Sequence, residues 1–303
     1  MAFPTVPNTH HHSLTKMTFE TKATIASFGG KLLKLQHDSA SFEPMPPNHL
    51  TCLGKSTGTP MALNLYLPPQ SGYTKVPVVI YLSGLTCTGD NCSEKGFLQC
   101  HAAQHGLAIV YPDTSPRGAS IVGEDDSWDF GTGAGFYVDS TNAPWDKNYK
   151  MYSYITSELP STLFPAFKDQ LDASRVSITG HSMGGHGALT LFLKNPGMYK
   201  SVSAFAPISN PINCPWGQKA FHGYLGEDKE AWKAYDATEL VKGWKGKGFK
   251  ALIDVGTGDN FYKQGQLLPE NFEKAAQEAG AEVEVRYQPA SCPLMQIWIR
   301  RRG

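Results

Sequence analysis

The stretch that decides the fold is Gly180-His181-Ser182-Met183-Gly184, which has the form Gly-x-Ser-x-Gly. A β-prone run, residues 175–179, precedes it, and a helix-forming run, residues 187–194, follows it. A strand, a sharp turn and a helix in this order expose a serine hydroxyl at a corner. The glycines leave room for the neighbouring backbone. The pattern predicts a nucleophilic serine, and it leaves open a glycine-rich loop with a structural serine.

Strand-like and helix-like runs alternate along most of the chain. Strands separated by helices predict a mostly parallel sheet with helices on both faces, and together with the serine turn they predict an α/β-hydrolase fold. The predicted strands are residues 62–67, 76–82, 107–111, 176–179, 201–206, 250–255 and 282–287, and the other predicted helices are residues 96–105, 149–163 and 269–278.

The length of 303 residues fits one large α/β domain. We expect a disordered leader over residues 1–22, which includes three consecutive histidines, and a single domain over residues 23–288. Within that domain, residues 41–55 carry three prolines and no periodicity, which predicts an atypical inserted loop. Residues 289–303 form a separate tail.

Composition excludes several classes of partner. Lysine plus arginine equals aspartate plus glutamate at 27 each, so nothing indicates a nucleic acid or an anionic membrane as partner. No apolar run approaches the roughly 20 residues that span a bilayer, and no secretory signal opens the chain. The six cysteines lack paired zinc spacing, which predicts free thiols, no metal and a cytoplasmic location.

A serine nucleophile needs a base and a group that orients the base. In this fold the acid lies in a loop after a later strand. Asp259, in a glycine-rich turn after the strand 250–255, is the expected acid; Asp254 competes but lies inside the strand, and a turn-forming role is the alternative for Asp259. The expected oxyanion donors are the backbone N–H groups of Met183 and Leu85.

Longer motifs make the chain resemble one family, S-formylglutathione hydrolase (esterase D). The similarity runs from about Phe28 to about Gln288, apart from residues 41–55. The motifs that carry it are residues 82–88 (LSGLTCT), 112–118 (PDTSPRG), 123–139 (GEDDSWDFGTGAGFYVD), 180–188 (GHSMGGHGA), 210–211 (NP), 214–217 (CPWG) and 265–269 (GQLLP).

The resemblance implies a cytoplasmic serine thioesterase that needs no cofactor. Its small-molecule substrate would be S-formylglutathione, hydrolysed to formate and glutathione in the last step of glutathione-dependent formaldehyde removal. Small carboxylic esters would be side substrates, and a homodimer is the implied assembly. Ser182 matches the family's nucleophile, Asp259 its acid, and Leu85 and Met183 its oxyanion positions.

Several further residues are candidates for substrate binding. The acidic run 124–129, with Trp128 and Asp129, lines the acyl end of the site or forms a structural loop. Lys219 and Arg117 attract glutathione carboxylates or are solvated surface residues. Cys87, beside the oxyanion loop, is a reactive thiol or a buried spectator.

The chain departs from the family pattern after its last strand. The family carries its base there, in a Gly-Tyr-Asp-His-Ser-Tyr-Tyr-Phe segment followed by a closing helix, whereas this chain continues with Pro-Ala-Ser-Cys and has no histidine after Asp259. We therefore expect the base and the last helix to be missing and catalysis to be impaired. His181, His186 and His222 are not expected to replace the base.

Two other functions remain open at this point. One is a non-catalytic binding or dimer-partner protein that keeps the acyl pocket. The other is an acyltransferase on the same scaffold, against which the glutathione-enzyme motifs argue.

Overall fold

A nine-stranded sheet forms the centre of the molecule, whose computed structural model describes residues 19–39, 56–244 and 249–289. Its strand order is β1-β2-β3-β5-β4-β6-β7-β8-β9. The strands are β1 (Glu20–Ser27), β2 (Gly30–Asp38), β3 (Pro60–Leu67), β4 (Val76–Leu82), β5 (Ala108–Pro112), β6 (Leu171–His181), β7 (Val202–Phe205), β8 (Lys250–Gly256) and β9 (Glu282–Gln288).

The sheet has an antiparallel side and a larger parallel side. The pairs β1–β2, β2–β3 and β3–β5 are antiparallel, whereas every pair from β5 through β4 to β9 is parallel. The prediction of a mostly parallel α/β-hydrolase sheet is confirmed. Because β4 lies between β5 and β6, the strand order changes direction there, and in open α/β sheets ligands bind beyond the carboxyl ends of the strands at such a point.

Helices connect the parallel strands, and the longest of them, α5, directly follows the serine turn. It packs against β6 and β7, and eleven of its residues are buried. No described helix is long and apolar enough to cross a membrane. The helices are α1 (Gly89–Lys95), α2 (Leu98–His105), α3 (Met151–Ser153), α4 (Leu159–Ala166), α5 (Met183–Lys194), α6 (Pro215–Leu225), α7 (Lys229–Trp232), α8 (Ala237–Lys242), α9 (Asn260–Lys263) and α10 (Pro269–Glu278).

Two apolar clusters lie on opposite faces of the sheet. Along β4, Val78 and Ile80 belong to the larger cluster and Tyr81 to the smaller one. Alternate residues of a strand point to opposite faces, so the sheet is covered on both sides near β4. Ala102 brings α2 into the smaller cluster, while Leu189 brings α5 into the larger one.

The observed boundaries correct several predictions. β4 and α10 begin and end where the sequence predicts, but the helix predicted from residue 96 begins at Leu98 because Phe97 has a left-handed backbone with φ of 52°. The helix predicted over 149–163 is interrupted by a π-helical segment, Tyr154–Glu158. β1 begins at Glu20, three residues before the predicted start of the domain.

Three predictions lie largely outside the described residues. They are the leader, apart from the residues that β1 takes up, the inserted loop at residues 41–55, and the tail with its missing closing helix.

Candidate active site

Ser182 lies on the turn that joins β6 to α5, in a backbone conformation that serine rarely adopts. Its φ is 57° and its ψ is −120°. The turn is this tight because both flanking glycines touch backbone. A Cβ on Gly180 would lie 2.1 Å from the carbonyl oxygen of Gly184, and one on Gly184 would lie 2.0 Å from that of Leu82. A strained residue persists only where its surroundings over-determine it, and such residues cluster at functional sites.

Backbone hydrogen bonds hold Ser182 from both sides. Its N–H donates to the carbonyl of Phe205 at 2.9 Å, and its own carbonyl accepts from the N–H of His186 at 3.0 Å and of Ile208 at 3.3 Å. The peptide groups on either side of the serine are therefore fixed by β7, by α5 and by the loop after β7.

The loop after β4 runs past the serine. A Cβ on Gly84 would lie 3.2 Å from the Cβ of Ser182, so Gly84 allows this close approach. The N–H of the next residue, Leu85, donates to no acceptor in residues 19–39, 56–244 or 249–289. Met183 is the first residue of α5, so its N–H has no partner within the helix. Both expected oxyanion donors are thus backbone N–H groups left available near Ser182.

A second loop fixes the first one through four hydrogen bonds, one of them from the Arg117 guanidinium to the carbonyl of Cys87 at 3.4 Å. The Tyr137 hydroxyl donates to the carbonyl of Ser83 at 2.9 Å, and the N–H of Thr86 donates to the carbonyl of Gly133 at 2.9 Å. The Thr114 hydroxyl donates to the carbonyl of Cys87 at 2.5 Å. The residues that shape the oxyanion loop therefore come from residues 113–139, a role that the sequence analysis missed.

Tyr137 and its neighbour Phe136 are themselves left-handed, with φ of 52° and 46°. Nε2 of the buried His186 bonds to the carbonyl of Phe136 at 3.0 Å, and burial lowers the pKa of His186 to about 4. No local propensity predicts two consecutive non-glycine residues in this conformation. Only the glycine-rich run 131–135 in the sequence indicates an irregular loop there.

Asp259 lies in the loop after β8, at the carboxyl edge of the sheet. It caps α9, and its Oδ1 accepts a hydrogen bond from the N–H of Phe261 at 2.8 Å. The competing carboxylate, Asp254, is 2% exposed inside β8. Its Oδ2 pairs with Arg286 of β9 at 2.5 Å, so Asp254 joins two strands and does not reach the loop.

The end of β9 lies beside this acid loop. The carbonyl of Gln288 accepts hydrogen bonds from the N–H of Thr257 at 2.8 Å and from its hydroxyl at 3.2 Å. Thr257 is two residues before Asp259, so the end of β9 is tied to the loop that carries the acid. The resemblance implies a base after this strand, and residues 290–303 lie outside the described part of the chain.

Three histidines of the domain have different surroundings. The ring of His181 faces the oxyanion loop, with Nδ1 3.6 Å from where a Cβ on Gly84 would be. Burial lowers the pKa of His181, and the charge of Asp259 partly opposes this. His186 is used in the bond to Phe136 described above, and His222 is exposed, 3.6 Å from Glu227. Within the described residues no imidazole of the three hydrogen-bonds to the Ser182 hydroxyl.

Aromatic side chains connect the acid loop to the acidic run 124–129. Phe261 packs on Trp216 with ring centroids 4.7 Å apart, and Trp216 makes an edge contact with Trp128 at 5.6 Å. Trp128 is 55% exposed. We call these three residues the aromatic rim; Trp216 is buried between the exposed Phe261 and Trp128.

The other predicted binding residues are partly occupied by local contacts. Lys219 pairs with Asp129. Arg117 makes two hydrogen bonds to Asp113, at 2.8 and 3.0 Å, so its charge is already compensated. Burial raises the pKa of the Cys87 thiol, which favours the protonated, less reactive form. No group of three or more histidine, cysteine, aspartate or glutamate side chains within the described residues could hold a metal ion.

Comparison with known proteins identifies the family. Residues 54–294 match the family model described as "Putative esterase". The chain is 57% identical to an S-formylglutathione hydrolase of Rattus norvegicus over 228 residues, 75% of this chain and 80% of the relative. It is 51% identical to one of Arabidopsis thaliana over 236 residues, 78% of this chain and 82% of the relative.

A solved structure agrees with these relatives. An S-formylglutathione hydrolase from Agrobacterium tumefaciens superposes with a TM-score of 0.80 at 39% identity, covering 93% of this chain and 94% of that one. The sequence identity, the share of each chain that is covered and the fold all lead to the same assignment. The chain belongs to the S-formylglutathione hydrolase family of esterases.

Proposed function

We propose that this chain is built for the hydrolysis of S-formylglutathione to glutathione and formate, without a cofactor, in the cytoplasm. Small carboxylic esters would be side substrates, and a homodimer is the assembly we expect. The observation that carries the proposal is the strained Ser182 beside the backbone N–H groups of Leu85 and Met183, which have no hydrogen-bond acceptor within the described ranges.

In the proposed reaction the Ser182 hydroxyl oxygen attacks the formyl carbon of the thioester while its proton passes to a base. The N–H groups of Leu85 and Met183 stabilise the charge that develops on the carbonyl oxygen, each contributing roughly 3–4 kcal/mol. The C–S bond then breaks, glutathione leaves with a proton, and formyl-serine remains. Water attacks this ester, which gives formate and restores Ser182. Asp259 would orient the base and stabilise its protonated form.

Residues 260–303 contain no histidine, so we infer that this chain lacks the base of the scheme. Losing a triad member lowers kcat by about 10⁴ to 10⁶ and leaves a residual rate from the oxyanion donors and from binding. His181 directly precedes Ser182, and successive residues in this turn point in different directions. We therefore do not expect the His181 ring to accept the proton of the Ser182 hydroxyl. We therefore propose a slow hydrolase that keeps the acyl site.

The alternative is a non-catalytic binding or dimer-partner protein. The missing base favours it, because the site could still hold an acyl thioester without turning it over. The two functions differ in whether the remaining turnover depends on Ser182.

Steady-state hydrolysis of S-formylglutathione and of p-nitrophenyl acetate by the purified chain and its Ser182→Ala variant tests the proposal. We expect slow turnover that Ser182→Ala abolishes. Turnover at the ordinary rate of an enzyme, about 1–10³ per second, would refute the inference that the base is missing. Equal rates for both proteins would refute the hydrolase and support the binding protein.

A further inference from the structure

The ion pair between Asp129 and Lys219 joins α6 to the turn that follows Trp128. Lys219 lies on α6, and Asp129 follows Trp128 in a turn 90 residues earlier in the sequence. The Lys219 ammonium donates to Oδ1 of Asp129 and to the hydroxyl of Ser127, the latter at 2.7 Å. That hydroxyl in turn donates to the same Oδ1 at 2.6 Å.

This arrangement leaves one group of each charge available. An ammonium has three N–H donors, and Lys219 uses two. Oδ2 of Asp129 accepts no hydrogen bond from another residue in the described ranges, and its side chain keeps 14% of its surface exposed. Lys219 is 45% exposed. An open N–H donor and an open carboxylate oxygen therefore lie side by side.

An ion pair of this kind has no net charge, so it attracts a lone anion or cation only weakly. It complements a ligand that carries both charges next to each other, because each ligand charge meets its opposite. An α-amino acid head, with its ammonium and carboxylate on one carbon, is such a ligand. The carboxylate would accept from Lys219, and the ammonium would donate to Asp129.

A chain of aromatic contacts links the neighbour of Asp129 to the acid loop. Trp128, the neighbour of Asp129, is one end of the aromatic rim, and Phe261, two residues after Asp259, is the other end. Two ring contacts of 5.6 and 4.7 Å separate them. An extended tripeptide covers such a span, since each residue adds about 3.3–3.6 Å.

From this geometry we infer that Asp129 and Lys219 bind the free α-amino acid head of the γ-glutamyl residue when the thioester lies at Ser182. The inference rests on the proposed function, because it takes glutathione as the thiol part of the substrate. It assigns the pair to substrate selection: thioesters with a γ-glutamyl head are held, and small esters without one are not.

A purely structural pair would only tie the turn at Asp129 to α6, and a binding measurement separates the two roles. Calorimetric titration of the full chain with S-methylglutathione needs no turnover and uses a ligand that cannot be hydrolysed. We expect Asp129→Asn and Lys219→Met each to weaken binding about tenfold, the loss of a charge-assisted hydrogen bond. Lys233→Met is the matched control, since Lys233 forms an exposed pair with Glu230 at 2.7 Å. This variant should bind S-methylglutathione with the affinity of the unmodified chain.

Two further measurements ask whether the pair only connects the turn at Asp129 to α6. The charge-reversed double variant Asp129→Lys with Lys219→Asp keeps a pair of opposite charges, so we expect it to recover thermal stability and still to bind S-methylglutathione about tenfold more weakly. N-acetyl-S-methylglutathione lacks the α-ammonium, so we expect it to bind the unmodified chain weakly and Asp129→Asn equally weakly.

The outcomes separate the inference from the proposed function. Equal affinity of the unmodified chain and all variants for S-methylglutathione would overturn the inference alone. Full recovery of affinity in the charge-reversed variant would also overturn it, by assigning the pair to structure. Failure of the unmodified chain to bind S-methylglutathione at all would overturn the proposed function together with the inference.

Discussion

The serine side and the acid side of the site are built very differently. On the serine side, Ser182 and its neighbours are fixed by two glycines without room for a Cβ, by four hydrogen bonds to the oxyanion loop and by a buried helix. On the acid side, Asp259 caps a helix of four residues and is only partly buried. Residues 289–303, which follow β9, contain no histidine. The serine side thus preserves the family's chemistry in its packing, whereas the acid side depends on one short segment.

The largest expected effect comes from completing the acid side. Replacing residues 289–303 with a Gly-Tyr-Asp-His-Ser-Tyr-Tyr-Phe segment and a closing helix, the pattern that the family resemblance implies, supplies a histidine after β9 and should raise kcat/KM for S-formylglutathione by about 10⁴ to 10⁶. The same graft with its histidine changed to glutamine is the control. A similar gain with the glutamine graft would mean that the segment acts through folding and not as a base.

Breaking the serine side should cost stability. In Gly184→Ala the new Cβ would lie 2.0 Å from the carbonyl oxygen of Leu82, and overpacking against backbone should lower the free energy of unfolding by at least about 3 kcal/mol. Gly243→Ala is the control, because its Cβ would lie 3.7 Å from the nearest atom. Urea unfolding measures the free energy of unfolding of both variants. Similar losses in the two would contradict the close packing of the turn at residues 180–184.

The buried His186 should make the serine side sensitive to acid. Burial lowers its pKa to about 4, below the unfolded value of 6.5. Between these values the unfolded chain binds the proton and the folded one does not, so stability falls as the pH drops from 6.5 towards 4, by up to about 3 kcal/mol. His186→Asn should remove this contribution, which unfolding curves at several pH values would reveal. If the free energy of unfolding varies with pH in the same way in His186→Asn and in the unmodified chain, the claim that His186 is buried and neutral would be refuted.

A smaller effect is expected from the tyrosine that holds the oxyanion loop. Tyr137→Phe removes the donor to the carbonyl of Ser83, which should lower the free energy of unfolding by about 1–3 kcal/mol. It should also slow covalent labelling of Ser182 by a fluorophosphonate. Tyr199→Phe is the matched control, since the buried Tyr199 hydroxyl has no partner in the described part of the chain. Equal losses of unfolding free energy and of labelling rate in Tyr137→Phe and Tyr199→Phe would show that Tyr137 has no specific role in holding the oxyanion loop.

The sequence predicts those features that depend on local pattern. The continuous apolar run of β4, the proline start of α10 and the glycines around Ser182 each encode their own geometry, and the structure agrees with them. The left-handed Phe136 and Tyr137 are different, because hydrogen bonds from distant residues impose their conformation.

The Asp129–Lys219 pair likewise joins residues that the chain separates by 90 positions. Neither partner has a local pattern that indicates the other, so only the folded arrangement brings the pair together. The predicted roles of Ser182, Asp259, Leu85 and Met183 stay predictions until they are measured.

The most direct test of the central claim, a complete serine side without a base, is the pH dependence of Ser182 labelling by a fluorophosphonate, followed by mass spectrometry. Without a base only hydroxide generates the serine alkoxide, so the logarithm of the labelling rate should rise with a slope of one from about pH 6 to about pH 9 and show no plateau. A plateau above about pH 7, where a neutral histidine takes the proton, would mean that a base is present and would contradict the account.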